Sequence, residues 1–143
     1  MSEDPVAVVR GSMEAFLGAS PESALELNSP DVVLDVTIRP DGRVWHGREG
    51  VRQAMTEWTG AWEDWRVDVH EYIDAGDGRV IFVWTESGRG KGSGVDMHQE
   101  GATISTVRDG QIVSSVLYLD REKAFADAGL TSSEAEHRIG RIR

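Results

Sequence analysis

A single aspartate interrupts an otherwise apolar segment at residues 32–38. Asp35 is flanked there by valine, leucine and isoleucine side chains. Burial among such neighbours disfavours the charged form of a carboxylate, which suits the group to exchange a proton with a substrate near neutral pH. The sequence therefore predicts an acid or base at Asp35. The alternatives are that Asp35 pairs with an arginine, such as Arg39 or Arg43, or that it faces solvent.

Three ionisable residues alternate along a second segment of the chain. Asp96, His98 and Glu100 are spaced by two, so in a strand their side chains share one face. If that face lines a pocket, Asp96 and His98 can act as a proton-transferring couple, because histidine titrates near neutral pH. We predict this couple as the catalytic partner of Asp35. The alternative is a face exposed to solvent or covered by a second subunit.

The chain has five tryptophans among its 143 residues. Aromatic walls suit flat hydrophobic ligands, since each ring offers a large area for stacking. We predict ligand contact for Trp58 and Trp45, and core packing for the other three. His46, next to Trp45, is a candidate general acid at the mouth of a pocket, or else a solvated loop residue.

No pattern in the sequence predicts a metal or phosphate site. The four histidines are separate from one another, at positions 46, 70, 98 and 137, without the spacing of a metal site, and the chain has no cysteine. A glycine-rich run at residues 88–94 lacks the lysine spacing and following helix of a phosphate-binding loop, so we interpret it as a hairpin connection. We expect neither a metal nor an organic cofactor.

The spacing of apolar residues predicts the elements that must position these groups. An aspartate–proline pair at 4–5 and a serine–proline pair at 20–21 have the form of helix starts, and helical spacing from 51 to 62 indicates a third helix. The period then changes to two, and turns separate four antiparallel strands at 65–74, 80–85, 95–107 and 111–119. Asp120 caps a closing helix. This order predicts an α+β fold.

The length and net charge of the chain limit the number of its domains and the classes of its partners. One domain at residues 1–130, followed by a tail at 131–143, accounts for the length. Twenty-five acidic residues against fifteen basic ones give a net charge of −10, which repels nucleic acid and anionic lipid. The N-terminus lacks the apolar region of a signal peptide. We therefore expect a cytoplasmic protein whose partner is neither nucleic acid nor membrane.

Several phrases taken together resemble the SnoaL-like polyketide cyclase branch of the nuclear transport factor 2 superfamily. They are PDGR at 40–43, GREGV at 47–51, AWEDWRV at 61–67, GKGSGV at 90–95, VRDG at 107–110 and YLDREKA at 118–124. The resemblance implies a cone-shaped barrel of the nuclear transport factor 2-like, or cystatin-like, fold. In that fold N-terminal helices close a curved, mostly antiparallel sheet around a deep apolar pocket. The resemblance also implies a homodimer and a pocket that works without a cofactor.

Enzymes of the superfamily carry acid and base groups that this chain matches in part. Asp35 resembles, by position, the catalytic-base aspartate of ketosteroid isomerases. Asp96 and His98 stand roughly where limonene epoxide hydrolase carries an Arg-x-Asp pair, although the residue types differ.

Other positions depart from those enzymes. The oxyanion-donating tyrosine of the isomerases is replaced by Met13 or Phe16, and the last strand offers Ser115 and Leu117 where relatives often carry a histidine or an acid. We expect these four side chains to line the pocket and contact the ligand. Neither enzyme's mechanism can be transferred unchanged.

Two functions are compatible with these observations. The first is a cofactor-free acid/base enzyme of the cyclase, isomerase, dehydratase or epoxide-opening type, acting on a small hydrophobic, polyketide- or terpenoid-like molecule. The second is a non-catalytic module that binds a small ligand or dimerises. Convergence of Asp35, Asp96 and His98 in one closed cavity would favour the enzyme, whereas exposure of all three would favour the binding module.

Overall fold

A computed structural model describes residues 4–18 and 20–130 of the chain. Its helices and strands follow one another as α1 (Pro5–Leu17), α2 (Pro21–Glu26), β1 (Asn28–Asp35), β2 (Val44–His46), α3 (Gly47–Gly60), β3 (Trp62–Gly76), β4 (Arg79–Gly90), β5 (Asp96–Arg108), β6 (Gln111–Tyr118) and α4 (Arg121–Asp127). The mixed α+β class predicted from the sequence is confirmed. The predicted tail at 131–143 lies outside the described residues.

The six strands form one curved sheet in the order β2-β1-β6-β5-β4-β3. All neighbouring strands are antiparallel except β1 and β6, which run parallel. The sheet is not closed, because β2 and β3 are its two edges. Three helices, α1, α2 and α3, precede the long antiparallel strands, as the sequence predicts.

Short-range signals explain where the first and last helices begin. The Asp4 side chain accepts a hydrogen bond from the backbone N–H of Val6 at 3.0 Å, and Pro5 follows at the first helical position. Asp120 accepts from the backbone N–H of Glu122 at 3.0 Å. Both bonds satisfy backbone donors that have no partner inside the helix.

Packing occurs on both faces of the sheet. On one face α1, α2 and α3 contribute to a core that includes Val9, Leu25 and Val51, with Phe82 and Trp84 of β4 opposite them. On the other face α4 packs on the sheet through a separate group of buried residues, Ile73, Ala75, Ile81, Val83, Ala102, Ile104, Ala124, Phe125, Ala128 and Leu130. The central strands are therefore apolar on both sides.

β3 begins at Trp62 and β4 extends to Gly90, so both strands are longer than the predicted segments 65–74 and 80–85. Two further differences concern the start of the sheet. The first strand begins at Asn28 and ends at Asp35, instead of covering 32–38, and a short strand, Val44–His46, lies within residues expected to be loop. The pairing of β2 with β1 explains the end of β1 at Asp35, because the chain must turn back between the two strands at residues 36–43. The earlier start of β1 comes from the pairing of Asn28 with Ile112 of β6. None of the helices described, in residues 4–18 and 20–130, has the length and hydropathy of a membrane-spanning segment.

Candidate functional site

A cavity of about 440 Å³ lies between the helices and the inner face of the sheet. Residues from α1, α3 and all six strands line it, together with Val36 and the loop at 39–43. Most of its wall is apolar or aromatic, with tryptophans at positions 45, 58, 65 and 84. A concave site of this size and composition is typical of small-molecule binding.

Glu86 is a buried carboxylate in the wall of this cavity. Only 2% of its side chain is exposed. Its Oε1 accepts hydrogen bonds from Gln99 Nε2 at 2.9 Å and from Arg39 Nη2 at 3.2 Å. Its Oε2 accepts from the indole N–H groups of Trp58 at 2.5 Å and Trp65 at 2.8 Å. Because a carboxylate offers about four acceptor positions, its hydrogen-bonding capacity is fully used.

Arg39 is the cation that faces Glu86. Its side chain is 13% exposed, and its guanidinium stacks on the ring of Trp58 at 3.8 Å from the ring centre. Burial lowers the pKa of Arg39 from its ordinary value, and the adjacent Glu86 carboxylate opposes that change. An arginine still remains charged at neutral pH. The result is an ion pair set into an aromatic wall.

The guanidinium of Arg39 has unused donors. It carries five N–H groups, and its one side-chain hydrogen bond to a described residue runs from Nη2 to Glu86. Arg39 Nε is buried and has no hydrogen-bond partner among the described residues. An unpaired buried donor costs about 1–3 kcal/mol. Nε itself is enclosed by protein, but Arg39 lines the cavity and its guanidinium carries further N–H groups, so the cation retains donors for an acceptor that enters the cavity.

The loop between β1 and β2 holds Arg39 in this position. Arg39 N donates to Val36 O at 3.1 Å, Gly42 N donates to Arg39 O at 2.8 Å, and Val36 N donates to Arg43 O at 3.1 Å. Asp41 adopts a left-handed backbone with φ of 60°. A Cβ added at Gly42 would overlap the carbonyl oxygen of Val36, so the tight turn requires glycine there.

A second group of polar side chains lies on the sheet wall of the cavity. The hydroxyl oxygens of Ser105 and Ser115 are 2.8 Å apart and share one hydrogen bond. Trp84 Nε1 donates to Thr103 Oγ1 at 3.0 Å. These strand residues line the cavity and are satisfied by one another, so they make the wall locally polar without placing a charge in it.

The structure places Asp35 outside the cavity. Its neighbours Leu34 and Val36 line the cavity, and Asp35 does not. Alternation along an extended segment explains this, because adjacent side chains point to opposite faces. Asp35 instead accepts hydrogen bonds from the backbone N–H of Thr37 at 2.9 Å and from its hydroxyl at 2.6 Å. The expectation that apolar neighbours enclose this carboxylate in the pocket is corrected.

Asp96 and His98 also lie away from the cavity. Asp96 is 84% exposed and forms an ion pair with Arg89 at 3.4 Å, and His98 is exposed. Asp96 and His98 share one face of β5, as predicted, but that face points away from the cavity. The opposite face carries Gln99, whose side chain bonds Glu86 in the cavity wall. The three residues proposed as catalytic partners are therefore not brought together in one enclosed cavity.

Six of the predicted ligand contacts do occupy the cavity wall. They are Met13, Phe16, Trp45, Trp58, Ser115 and Leu117. His46 is exposed, does not line the cavity and precedes α3 as its N-cap residue. Contact of these residues with a ligand stays a prediction.

Sequence reasoning did not identify Glu86 as a site residue, although a signal was present. Val80, Phe82, Trp84 and Glu86 alternate on β4, and all four belong to the inner core or the cavity wall. An acid that continues a run of inward-facing apolar residues is expected to need buried partners. Trp65, expected to pack in the core, is one of those partners.

The two tyrosines of the chain lie outside the cavity wall. Burial raises the pKa of Tyr72 to about 12, with a further contribution from Glu14. Burial likewise raises the pKa of Tyr118 to about 12, and its hydroxyl donates to Asp127 Oδ2 at 2.8 Å. Among residues 4–18 and 20–130 no group of three metal-ligating side chains is found.

Known structures share this fold. A ketosteroid isomerase-like protein from Catenulispora acidiphila, in complex with trimethylamine, is 21% identical with a TM-score of 0.68 and covers 93% of this chain and 98% of its own. TerC, crystallised with polyporic acid, is 21% identical with a TM-score of 0.67, over 87% of this chain and 98% of its own. A candidate polyketide cyclase from Xanthomonas campestris is 21% identical with a TM-score of 0.65, over 87% and 96%.

No protein with a curated description matches the chain significantly. The SnoaL-like domain family, in contrast, matches it over residues 9–115. That match covers well over half of the sequence and includes α3 and most of the cavity-lining strands. The chain therefore belongs to the SnoaL-like domain family.

Proposed function

We propose that the chain binds a small, largely apolar organic molecule in the cavity between its helices and its sheet. The observation that carries this proposal is the cavity itself, about 440 Å³ with a mainly apolar and aromatic wall. Drug-sized ligands bind in concave sites of roughly 300–1,000 Å³ with such walls and a few polar groups that fix orientation. Two proteins of the same fold hold small organic molecules, trimethylamine and polyporic acid.

A cofactor-free acid/base reaction of the cyclase, isomerase, dehydratase or epoxide-opening type is the second candidate. Its support is the buried cation of Arg39, because a fixed positive charge in a site with little water stabilises a developing oxyanion. The proton acceptor is the weaker part of this candidate. Asp35, Asp96 and His98, proposed earlier for that role, lie outside the cavity, and Glu86 already accepts four hydrogen bonds. We therefore place binding first.

Filling the cavity tests the proposal. Ala54 lines the cavity from α3, so Ala54→Phe would occupy part of its volume. Ala126 is exposed on α4, and Ala126→Phe is the matched control. The probes are 2-acetonaphthone, a neutral ketone, and 2-naphthoate, its acidic counterpart of similar shape, with thermal unfolding as the readout.

At least one of the two probes should raise the melting temperature of the wild type and of Ala126→Phe by several degrees. A ligand at about 100 times its dissociation constant adds ~2.7 kcal/mol to the free energy of unfolding. Ala54→Phe should abolish the shift. Equal shifts in both variants, or no shift for either probe in the wild type, would refute binding in this cavity.

A homodimer and a cytoplasmic location are also proposals. The dimer rests on the family resemblance, and the location rests on the composition of the chain. Sedimentation analysis of the full chain would test the dimer, with a mass near twice that of one 15.7 kDa chain expected.

A further inference from the structure

We infer that Arg39 binds an ionised oxygen of the ligand, so that the ligand class is a small aromatic acid, either a carboxylate or an acidic enol or phenol. The inference rests on the proposed function, since it names the chemistry of the molecule that the cavity would bind. It goes beyond that function because an apolar cavity alone would accept a neutral molecule equally well.

The donors and acceptors around the ion pair are not balanced. Both oxygens of Glu86 are occupied, each by two donors. Arg39 uses one nitrogen toward Glu86, while its Nε has no partner among the described residues. The free capacity at this end of the cavity therefore consists of donors on a cation. A ligand completes the arrangement only if it supplies an acceptor.

Contacts with Trp58 and Glu86 also restrict the position of the guanidinium. It stacks on the ring of Trp58 at 3.8 Å, and its backbone is fixed by the hydrogen-bonded loop at 36–43. A planar fork of N–H groups matches the geometry of a carboxylate or of a similar pair of oxygens, and charged acceptors form the stronger bonds. The surrounding aromatic wall suits a flat ring attached to that group.

An organic cation is the competing ligand class. The tryptophans and Glu86 would attract one, and the net charge of −10 favours the approach of cations. In the structure, however, Arg39 already occupies the position beside the carboxylate and over Trp58. A ligand cation would have to displace this internal cation, whereas an acid can bind next to it.

The test compares three naphthalene probes of similar size by calorimetric titration of the full chain. They are 2-naphthoate, neutral 2-acetonaphthone and 2-naphthylmethylammonium. The variants are Arg39→Met and, to keep the site neutral if that variant does not fold, Arg39→Met combined with Glu86→Gln. Arg66→Met is the control, because Arg66 is exposed, pairs with exposed Asp68 and changes the net charge equally.

In the wild type, naphthoate should bind at least about tenfold more tightly than the ketone, a difference of about 1.4 kcal/mol or more in binding free energy. Arg66→Met should keep that ratio, and the variants lacking Arg39 should reduce it to about one, as loss of a charged hydrogen bond predicts. Equal affinities for acid and ketone in the wild type, or a ratio that survives loss of Arg39, would overturn the inference while leaving binding in the cavity intact.

Two other outcomes are decisive in different ways. Tightest binding of the ammonium probe, strengthened by Arg39→Met, would overturn the inference and assign a cation site to Glu86 and the tryptophans. Failure of all three probes to bind the wild type would refute the proposed function, and the inference would fall with it.

Discussion

The carboxylate of Glu86 can be changed to an amide of nearly the same shape by Glu86→Gln. The carboxylate accepts four hydrogen bonds, two at each oxygen. An amide keeps one oxygen, and its NH₂ group would face donors instead of acceptors. Two of the four donors therefore lose their acceptor, and Arg39 loses its counter-charge.

The expected cost follows from that count. Each donor left unsatisfied in a buried position costs about 1–3 kcal/mol, and removing one partner of a buried ion pair costs about 3–5 kcal/mol in total. Since 13% of the Arg39 side chain reaches solvent, the lower end of that range, about 3 kcal/mol, is the expected loss. For a domain of this size that is a fall in melting temperature of roughly 6–12 °C.

Urea unfolding followed by tryptophan fluorescence measures the effect, with linear extrapolation to water. Glu100→Gln is the matched control, because Glu100 is exposed on β5, and it should change the free energy of unfolding by no more than about 0.5 kcal/mol. Adding Arg39→Met to Glu86→Gln should recover part of the loss, since the uncompensated cation is removed. A Glu86→Gln protein within about 1 kcal/mol of wild type would refute the buried ion pair.

Three further perturbations test other parts of the structure. Gly42→Ala should cost about 1–3 kcal/mol in a thermal melt, because its Cβ would overlap a carbonyl of its own loop, whereas Gly60→Ala has nothing within 4 Å and should not destabilise. Asp35→Asn should leave the dissociation constants of cavity ligands unchanged, since Asp35 lies outside the cavity; a loss of about tenfold would contradict this placement. Burial raises the pKa of Tyr72 and Tyr118 to about 12, so stability is fully present below about pH 10 and is lost as pH rises through about 12. Tyrosinate absorbance of the folded protein appearing near pH 10 would contradict that burial.

The fold could be predicted from local signals because each signal has a local physical cause. The helix starts at Asp4 and Asp120 depend on side chains that bond nearby backbone N–H groups. The change of period after residue 65 reflects the pleat of the long strands. The short strand β2 carried no such signal, since three residues, Val44–His46, are too few to show a period.

The site could be predicted only in part because alternation gives a shared face without saying which face is inward. The middle of β5 is buried on both faces, so its sequence does not indicate which face points toward the cavity. Asp96 and His98 were therefore predicted to face inward, where the structure has Gln99. The same one-residue error applies to Asp35 between Leu34 and Val36.

The ion pair of Arg39 and Glu86 joins residues 47 apart in sequence. No local sequence pattern links the loop after β1 to the strand β4. Their pairing depends on β1 lying three strands away from β4 in one curved sheet, with the loop at 36–43 turning back over the cavity. Such a contact is a property of the tertiary structure, which explains why Arg39 was considered only as a partner for Asp35.

A crystal structure of the protein with 2-naphthoate would show directly whether an aromatic acid binds in the cavity at Arg39. We predict the naphthalene ring inside the cavity, against the wall that contains Trp58 and Trp65, with a carboxylate oxygen about 2.7–2.9 Å from a guanidinium nitrogen of Arg39. A naphthoate molecule bound only elsewhere, such as on the exposed sheet face that carries Asp96 and His98, would contradict binding of an acid at Arg39 in the cavity.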